Sequence, residues 1–491
     1  MRGALSVTLA LLWSLSVGAS SAEAEFTSEP ATSRPTTSEP TSEPTSAPTP
    51  EPVAPTPAPA PEPAAPTLKP TIAPTPEPKV EEESFSFDAA AFEKKPFEWG
   101  GFFELKGAQL FRDRDARLRG MNMLSADAER LSHQAFGLVD LEAKLRKGVV
   151  TAHGHVRGLA QSGQEGFAND LRLFRLSLAA QPITFLHVEV GKTMVRWGKG
   201  YAFNPVAFVD RPKDPGDPEE ALEGYYLARA EVTKSFNGPL KTLALSLAVI
   251  PVHEDVNEGF GKLGHENFAG RLSLLLFDAD IDFVALSGGS RSARYGMDFA
   301  YNLTTNLAIH AEGALIPNAS VSHLSPSDWI LGGPAGEADE DERLAVQALV
   351  GTRYLSPQET TYILEYFYNS VGASRQQMGA FYDVFNTPPP LGVELDRALL
   401  SPYLVPFPMR HYVYAKVSQK EPFDILDFFP SVIGIVNMED GSFMLTPELL
   451  YKGVTNLELR LRGTVFVGRA DTDFGERPND ARVELRARYF F

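Results

Sequence analysis

The stretch from Asp480 to Phe491 reads DARVELRARYFF. Ala481, Val483, Leu485, Ala487, Tyr489 and Phe491 fall on one face of a strand, and Arg482, Glu484, Arg486 and Arg488 on the other. Successive side chains of a strand point to opposite faces, so this alternation fits a strand with lipid on one side and water on the other. An edge strand of a soluble sheet can carry the same pattern. The fold therefore rests on whether the rest of the chain repeats it.

From Phe97 onward it does. Amphipathic segments of roughly 10 to 14 residues recur between breaks, the size and spacing of barrel strands. The pattern predicts strands near 97–112, 134–147, 149–160, 169–180, 183–196, 225–236, 240–250, 267–277 and 280–288. It predicts further strands near 293–302, 306–316, 343–355, 360–369, 410–419, 427–437, 442–452, 455–467 and 480–491. That makes about 18, within a range of 16–18.

The connections alternate long and short. Short turns are expected at Lys147-Gly148, Gln181-Pro182, Asn237-Gly238-Pro239, Asp278-Ala279-Asp280, Ser356-Pro357-Gln358 and Lys452-Gly453. Longer connections are expected at 113–133, 161–168, 198–224, 317–342 and 370–409. Short turns on one rim and long loops on the other suit an outer-membrane barrel. A β-sandwich has no reason to sort its loops this way, and no repeat of the kind that marks a propeller or β-helix is visible. Lipid offers no hydrogen-bond partner, so the last strand must pair with the first. An even strand number puts both ends of the barrel on the short-turn rim, expected to be periplasmic.

Three regions follow. Residues 1–24 read as a signal peptide, with Arg2, the apolar run Leu5 to Val17 and a cleavage site near Ala22-Glu23-Ala24. Residues 25–95 read as a disordered periplasmic linker rich in Pro, Thr, Ser and Glu, holding 17 of the 39 prolines between Thr27 and Lys79. Fully extended, about 50 such residues at about 3.1 Å each would reach about 150 Å. The segment is either an inert spacer or a tether to a periplasmic partner or peptidoglycan. Residues 96–491 read as the barrel. The chain has no cysteine, which excludes a disulfide framework, a thiolate metal site and a lipoprotein anchor. A mean hydropathy of −0.15 is uninformative, because only alternate residues of such strands face lipid.

Lipid-facing candidates are Leu186, Val188 and Val190, then Val346, Ala348 and Val350, and Leu457, Leu459, Leu461, Val465 and Val467. Trp99, Phe102, Tyr295, Tyr301, Tyr412, Tyr414, Tyr489 and Phe491 lie near strand ends and suit interfacial girdles. The opposite faces predict a lumen arc of mixed charge with a basic excess: Arg460, Arg462, Arg482, Glu484, Arg486 and Arg488, joined across the seam by Glu104 and Lys106. The arc continues through Asp140, Glu142 and Lys144, then His153, His155 and Arg157. Charge in lipid is costly, so these residues must face water or one another. They are either a polar pathway or a salt-bridge lattice that stiffens the wall.

The densest unusual sequence runs from Arg196 to Tyr226, RWGKGYAFNPVAFVDRPKDPGDPEEALEGYY. Its glycines and prolines predict a loop with defined bends. No Walker, GxSxG, HExxH or GxGxxG motif occurs. Asp278, Asp280 and Asp282 begin like a calcium loop, but Phe283 stands where such a loop needs glycine. The run Glu337 to Glu342 is acidic and fits an outer loop, solvated or bridged by divalent cations to lipopolysaccharide phosphates. The expectation is therefore no catalytic residue, no metal, no cofactor and no nucleic-acid partner.

The terminal RARYFF and the strand pattern resemble Gram-negative outer-membrane porin-like barrels over roughly Phe97 to Phe491, and the WGKGYAFNP stretch resembles alginate-export-like or other substrate-selective porins. That resemblance implies an all-β transmembrane antiparallel barrel in contact with outer-membrane lipid and lipopolysaccharide. It implies a channel for small hydrophilic, including anionic, solutes. It also implies that the third long-side loop folds inward, with Arg196, Lys199, Asp210 and Arg211 as constriction candidates. The alternative is a structural or adhesive barrel with a plugged lumen and a Pro-rich tether.

Overall fold

The computed structural model describes residues 96–112, 131–163, 166–218, 220, 222–322, 340–386, 403 and 405–491. The expected signal peptide, the Pro-rich segment, the connection 113–130 and the acidic positions 337–339 lie outside these residues.

Eighteen strands form one sheet: β1 (Phe97–Arg112), β2 (Leu131–Lys147), β3 (Val150–Gly163), β4 (Gly166–Ile183), β5 (Leu186–Thr193), β6 (Tyr225–Ser235), β7 (Leu240–Val252), β8 (His265–Leu276) and β9 (Ala279–Leu286). The second half holds β10 (Arg294–Asn302), β11 (Leu307–Ser322), β12 (Glu340–Leu355), β13 (Thr360–Asn369), β14 (His411–Gln419), β15 (Phe428–Asn437), β16 (Phe443–Val454), β17 (Leu457–Val467) and β18 (Asn479–Phe490). Each strand pairs antiparallel with the next in sequence. β18 returns to β1, with Glu104 opposite Arg488 and Lys106 opposite Arg486. Closure removes both edges, so every strand finds its hydrogen-bond partners within the chain.

Alternation fixes the two faces. On β18, Leu485 is 61% exposed while its neighbour Glu484 is 8% exposed, so the apolar side is the outer one. Val190, Val350, Leu459, Leu461, Val465 and Val467 are likewise exposed on the outside. Water would make such a surface aggregate, whereas lipid solvates it. Exposed aromatics mark the short-turn rim: Trp99, Phe185, Phe236, Phe277 and Phe423. Phe167, Tyr295 and Tyr366 lie toward the other rim.

Three aromatics expected in the girdles face inward instead. Phe102 is on the same face as the buried Glu104, and Tyr412 and Tyr414 are fully buried in the lumen. Parity decides this: on β1 the outward neighbour is Phe103, which is exposed. Two expected connections are also corrected. The strands around 161–168 run on to Gly163 and resume at Gly166, so this long-rim connection is tight. The chain reverses at Thr184-Phe185 rather than at Gln181-Pro182, and the register shifts between Ala180 and Ile183. Proline cannot donate to a ladder and is tolerated at such an irregularity.

The lumen holds two apolar clusters built on inward-folded connections. One packs Val206, Phe208 and Val209 against Ile250, Val284 and Leu286. The other packs Phe203 and Phe474 against Tyr412, Tyr414 and a helix, α1 (Arg375–Asn386), in the β13–β14 connection. The helix was not foreseen, although its signals are present. Ser374 and Gln377 form a reciprocal capping box, with Gln377 N–H donating to Ser374 Oγ at 3.3 Å and Ser374 N–H to Gln377 Oε1 at 2.8 Å. Met378, Phe381 and Tyr382 then make its buried stripe.

Candidate functional site

The β5–β6 loop (194–224) enters the lumen, and its two halves are held differently. In the first half, backbone amides are captured by carboxylates. Val195, Arg196 and Trp197 N–H donate to Asp210 at 3.0, 3.0 and 2.9 Å. Lys199 and Gly200 N–H donate to Glu312 Oε1 of β11 at 2.5 and 2.6 Å, and Val206 N–H to its Oε2 at 3.2 Å. Tyr201 and Ala202 N–H donate to Glu365 of β13 at 2.5 and 2.8 Å.

The WGKGYAFNP stretch thus presents a row of amides to two wall carboxylates across the lumen. Its glycines serve that approach. Gly198 has φ +98°, and a Cβ on Gly200 would lie 2.0 Å from the Phe203 carbonyl oxygen. Hydrogen bonds to charged groups contribute about 1.5–3 kcal/mol each, so this half is firmly seated.

Lys199 completes the seat. Its Nζ lies 2.8 Å from Asp280, 2.8 Å from Asp282 and 3.3 Å from Asp298. Burial works against the ammonium, but hydrogen bonds and charge from these carboxylates hold its pKa above the ordinary lysine value. Two of the aspartates that begin like a calcium loop, Asp280 and Asp282, are therefore part of a lysine clasp, whereas Asp278 pairs with Lys241.

The second half carries side-chain ion pairs. Asp217 accepts from Arg462 Nη1 at 2.8 Å and lies 3.7 Å from Arg460 and 3.6 Å from Arg486. Burial raises the Asp217 pKa, and the three guanidiniums outweigh it, leaving the carboxyl below its usual value. Glu220 lies 3.9 Å from Arg157, and Glu223 pairs with Lys192 and Arg211.

Between this half and the seam of the barrel lies a cavity of about 710 Å³. Its walls come from β1–β4, β17, β18 and loop residues including Arg211, Lys213, Asp217 and Glu223. Among the described residues, eleven lysine and arginine side chains face nine carboxylates there. Four of the cations lie over phenylalanine rings: Arg488 over Phe102, Lys106 over Phe136, Arg157 over Phe174 and Arg477 over Phe474, at 4.2, 4.3, 4.2 and 5.5 Å. Desolvated contacts of this kind hold a cation in a fixed place.

The structure brings the predicted arc together. Arg460, Arg462, Arg482, Glu484, Arg486, Arg488, Glu104, Lys106, Asp140, Glu142, His155 and Arg157 all line the cavity. Lys144 and His153, paired with each other nearer the short-turn rim, do not. Of the four loop candidates only Arg211 lines it. Arg196 is exposed, Asp210 is buried as an amide acceptor, and Lys199 is clasped at the opposite wall. Asp140, Glu142 and His155 bring donor atoms within 4.8 Å of one another, with Asp140 engaged by His155 and Arg157 at 2.8 and 2.7 Å.

Sequence reasoning missed Asp217, Glu312 and Glu365. The carboxylates of β11 and β13 stand on the lumen face and were readable by parity, but nothing local pairs them with a loop more than a hundred residues away.

No family model matches the sequence, and no curated protein matches it. Among solved structures, the chain is similar to a BenF-like porin from Pseudomonas fluorescens Pf-5, with a TM-score of 0.50 and 10% identity over 80% of this chain and 98% of that one. It is also similar to the outer-membrane protein OprD from Pseudomonas aeruginosa, with a TM-score of 0.46 and 11% identity over 81% of this chain and 96% of that one. A third is Wzi from Escherichia coli, described as a carbohydrate-binding β-barrel involved in group 1 capsule assembly, with a TM-score of 0.44 and 9% identity over 79% of this chain and 83% of that one. At these identities the likeness is one of fold, carried by the BenF-like porin.

Proposed function

We propose that the chain is an outer-membrane channel through which small hydrophilic solutes pass, anions more readily than cations. The observation that carries this reading is the extent of the cavity. Along β1 it is lined from Phe102 to Leu110, and along β18 from Asn479 to Arg488. Eight residue steps at about 3.3 Å rise span about 26 Å along the strand, which at a tilt of about 40° covers about 20 Å of an apolar band about 25 Å tall. A structural lattice would have no need of a continuous void that long. The excess of cations over carboxylates along it favours anions.

The fold shared with a porin supports outer-membrane placement. Phe97 and Phe491 both lie on the short-turn rim, which supports a periplasmic side for both ends of the barrel. Lipid and lipopolysaccharide are the surroundings this placement implies.

The two apolar clusters favour the second reading, a plugged structural barrel, because they fill the lumen away from the seam. Recording in a planar bilayer separates the two. Folded, inserted protein should give discrete ionic conductance. Protein that inserts and stays electrically silent would overturn the channel and leave the plugged barrel.

A further inference from the structure

Arg460, Arg462 and Arg486 converge on one carboxylate, and that carboxylate belongs to the loop rather than to the wall. Arg462 is also held by Glu448 at 2.8 Å, Arg460 lies 3.6 Å from Glu448 and 3.5 Å from Glu458, and Arg486 lies 3.6 Å from Glu104, so these wall acids keep the guanidiniums in place whether or not Asp217 is present. Asp217 is the only carboxylate, among the described residues, within ion-pair distance of all three.

The loop around it has few other ties. The first half of the loop is fastened through backbone amides to Glu312 and Glu365. From Pro212 to Pro218, the backbone bonds are local turns, such as Asp217 N–H to Asp214 C=O at 3.0 Å. Among the described residues, the other tie of this stretch beyond its local turns is Lys213 Nζ to the carbonyl of Gly200 at 2.9 Å, which stays within the loop.

We propose that Arg460, Arg462 and Arg486 form a binding site for a divalent oxyanion, occupied in this state by Asp217 as a tethered internal competitor. This deepens the channel reading and rests on it for its consequence: when the oxyanion binds, Asp217 leaves and the loop arm moves off the basic wall, widening the cavity. The choice of ligand class follows from competition. A carboxylate on a short tether acts at an effective concentration of about millimolar. Chloride carries one charge and cannot match the guanidinium forks. A divalent oxyanion carries twice the charge and presents several acceptors, which arginine pairs in bidentate fashion. No bond is made or broken, and the exchanged groups are two anions.

The test uses the full-length protein in detergent or lipid and inorganic phosphate at mildly alkaline pH, where phosphate is a dianion. The readout is tryptic cleavage after Lys213, on the loop arm. Cleavage should rise several-fold at about 10 mM phosphate, above the effective concentration of a short tether, and not with chloride at matched ionic strength. D217N should be cleaved rapidly without phosphate and respond no further. Cleavage in the wild type that phosphate leaves unchanged overturns the site, whatever the variant does. In bilayers, phosphate should favour a larger conductance level in the wild type, and D217N should occupy that level in chloride alone. A loop that responds in a protein without conductance would overturn the channel reading and keep the oxyanion site. Conductance that ignores both phosphate and D217N would do the reverse.

Discussion

Arg462 Nη1 on the wall and Asp217 Oδ2 on the inward loop lie 2.8 Å apart, although 245 positions separate them in the chain. The contact joins the basic seam to the loop that limits the cavity. It makes the loop, as much as the strands, a wall of the proposed pathway.

Selectivity follows from the residues around that contact. Replacing Arg460 and Arg486 together with alanine removes two of the eleven cations lining the cavity and leaves nine facing nine carboxylates. The wild type should show a reversal potential of anionic sign in a salt gradient, and the double variant should move toward neutrality. The acidic total of −18 does not decide this, because loop charges are screened within about 8 Å at physiological salt. Clear cation selectivity in the wild type, unmoved by the double change, would place the deciding charges elsewhere.

The loop seat should fail in a recognisable way. In E312Q the amide keeps one acceptor oxygen but turns a donor toward amides that also donate. Leaving such groups unpaired costs about 1–3 kcal/mol. The barrel strands should remain folded by circular dichroism, while the loop becomes more susceptible to protease and current noise rises. E365Q should behave similarly, and it also removes the carboxylate charge that faces His310 at 2.8 Å.

Lys199 gives a pH signature. Its folded pKa is raised above the ordinary value of about 10.4. A raised lysine contributes stability that is complete below the unfolded pKa and is lost only as pH rises through the folded one. Urea unfolding should therefore show K199M less stable than wild type by the same margin at about pH 8 and about pH 10, with the gap closing only under more alkaline conditions. A gap that closes between these two values would contradict the clasp. Removing one partner of a buried ion cluster costs about 3–5 kcal/mol where burial is complete. Lys199 is 17% exposed, so the loss should be smaller.

The helix cap offers a control away from the charged site. S374A removes the hydroxyl that accepts the Gln377 amide proton. It should lower stability by about 1 kcal/mol and leave the reversal potential unchanged, because α1 packs on the apolar side of the lumen. A selectivity change here would mean that the helix borders the pathway.

The strands were legible in the sequence because each carries its own evidence. On β18 the residues from Ala481 to Tyr489 declare two faces without reference to any other segment. The same local alternation, repeated along the chain, gave a strand number of about 18 and the basic arc on the lumen face, while the closure of β18 on β1 followed from the absence of hydrogen-bond partners in lipid. Lipid enforces this legibility, since each outward position must be apolar. Tyr412 and Tyr414 mark its limit: tyrosine suits either a girdle or a packed lumen, so only their neighbours could decide. The loop was conspicuous in sequence but its contacts were not. Asp210 looked like a constriction residue and is an amide acceptor. Asp217 looked like one acid among several and meets three arginines. Such roles depend on which residues meet across the lumen, and that follows from barrel closure and the inward path of the loop. Hydrophobic periodicity reports which face a side chain occupies; only the tertiary structure brings its partner to it.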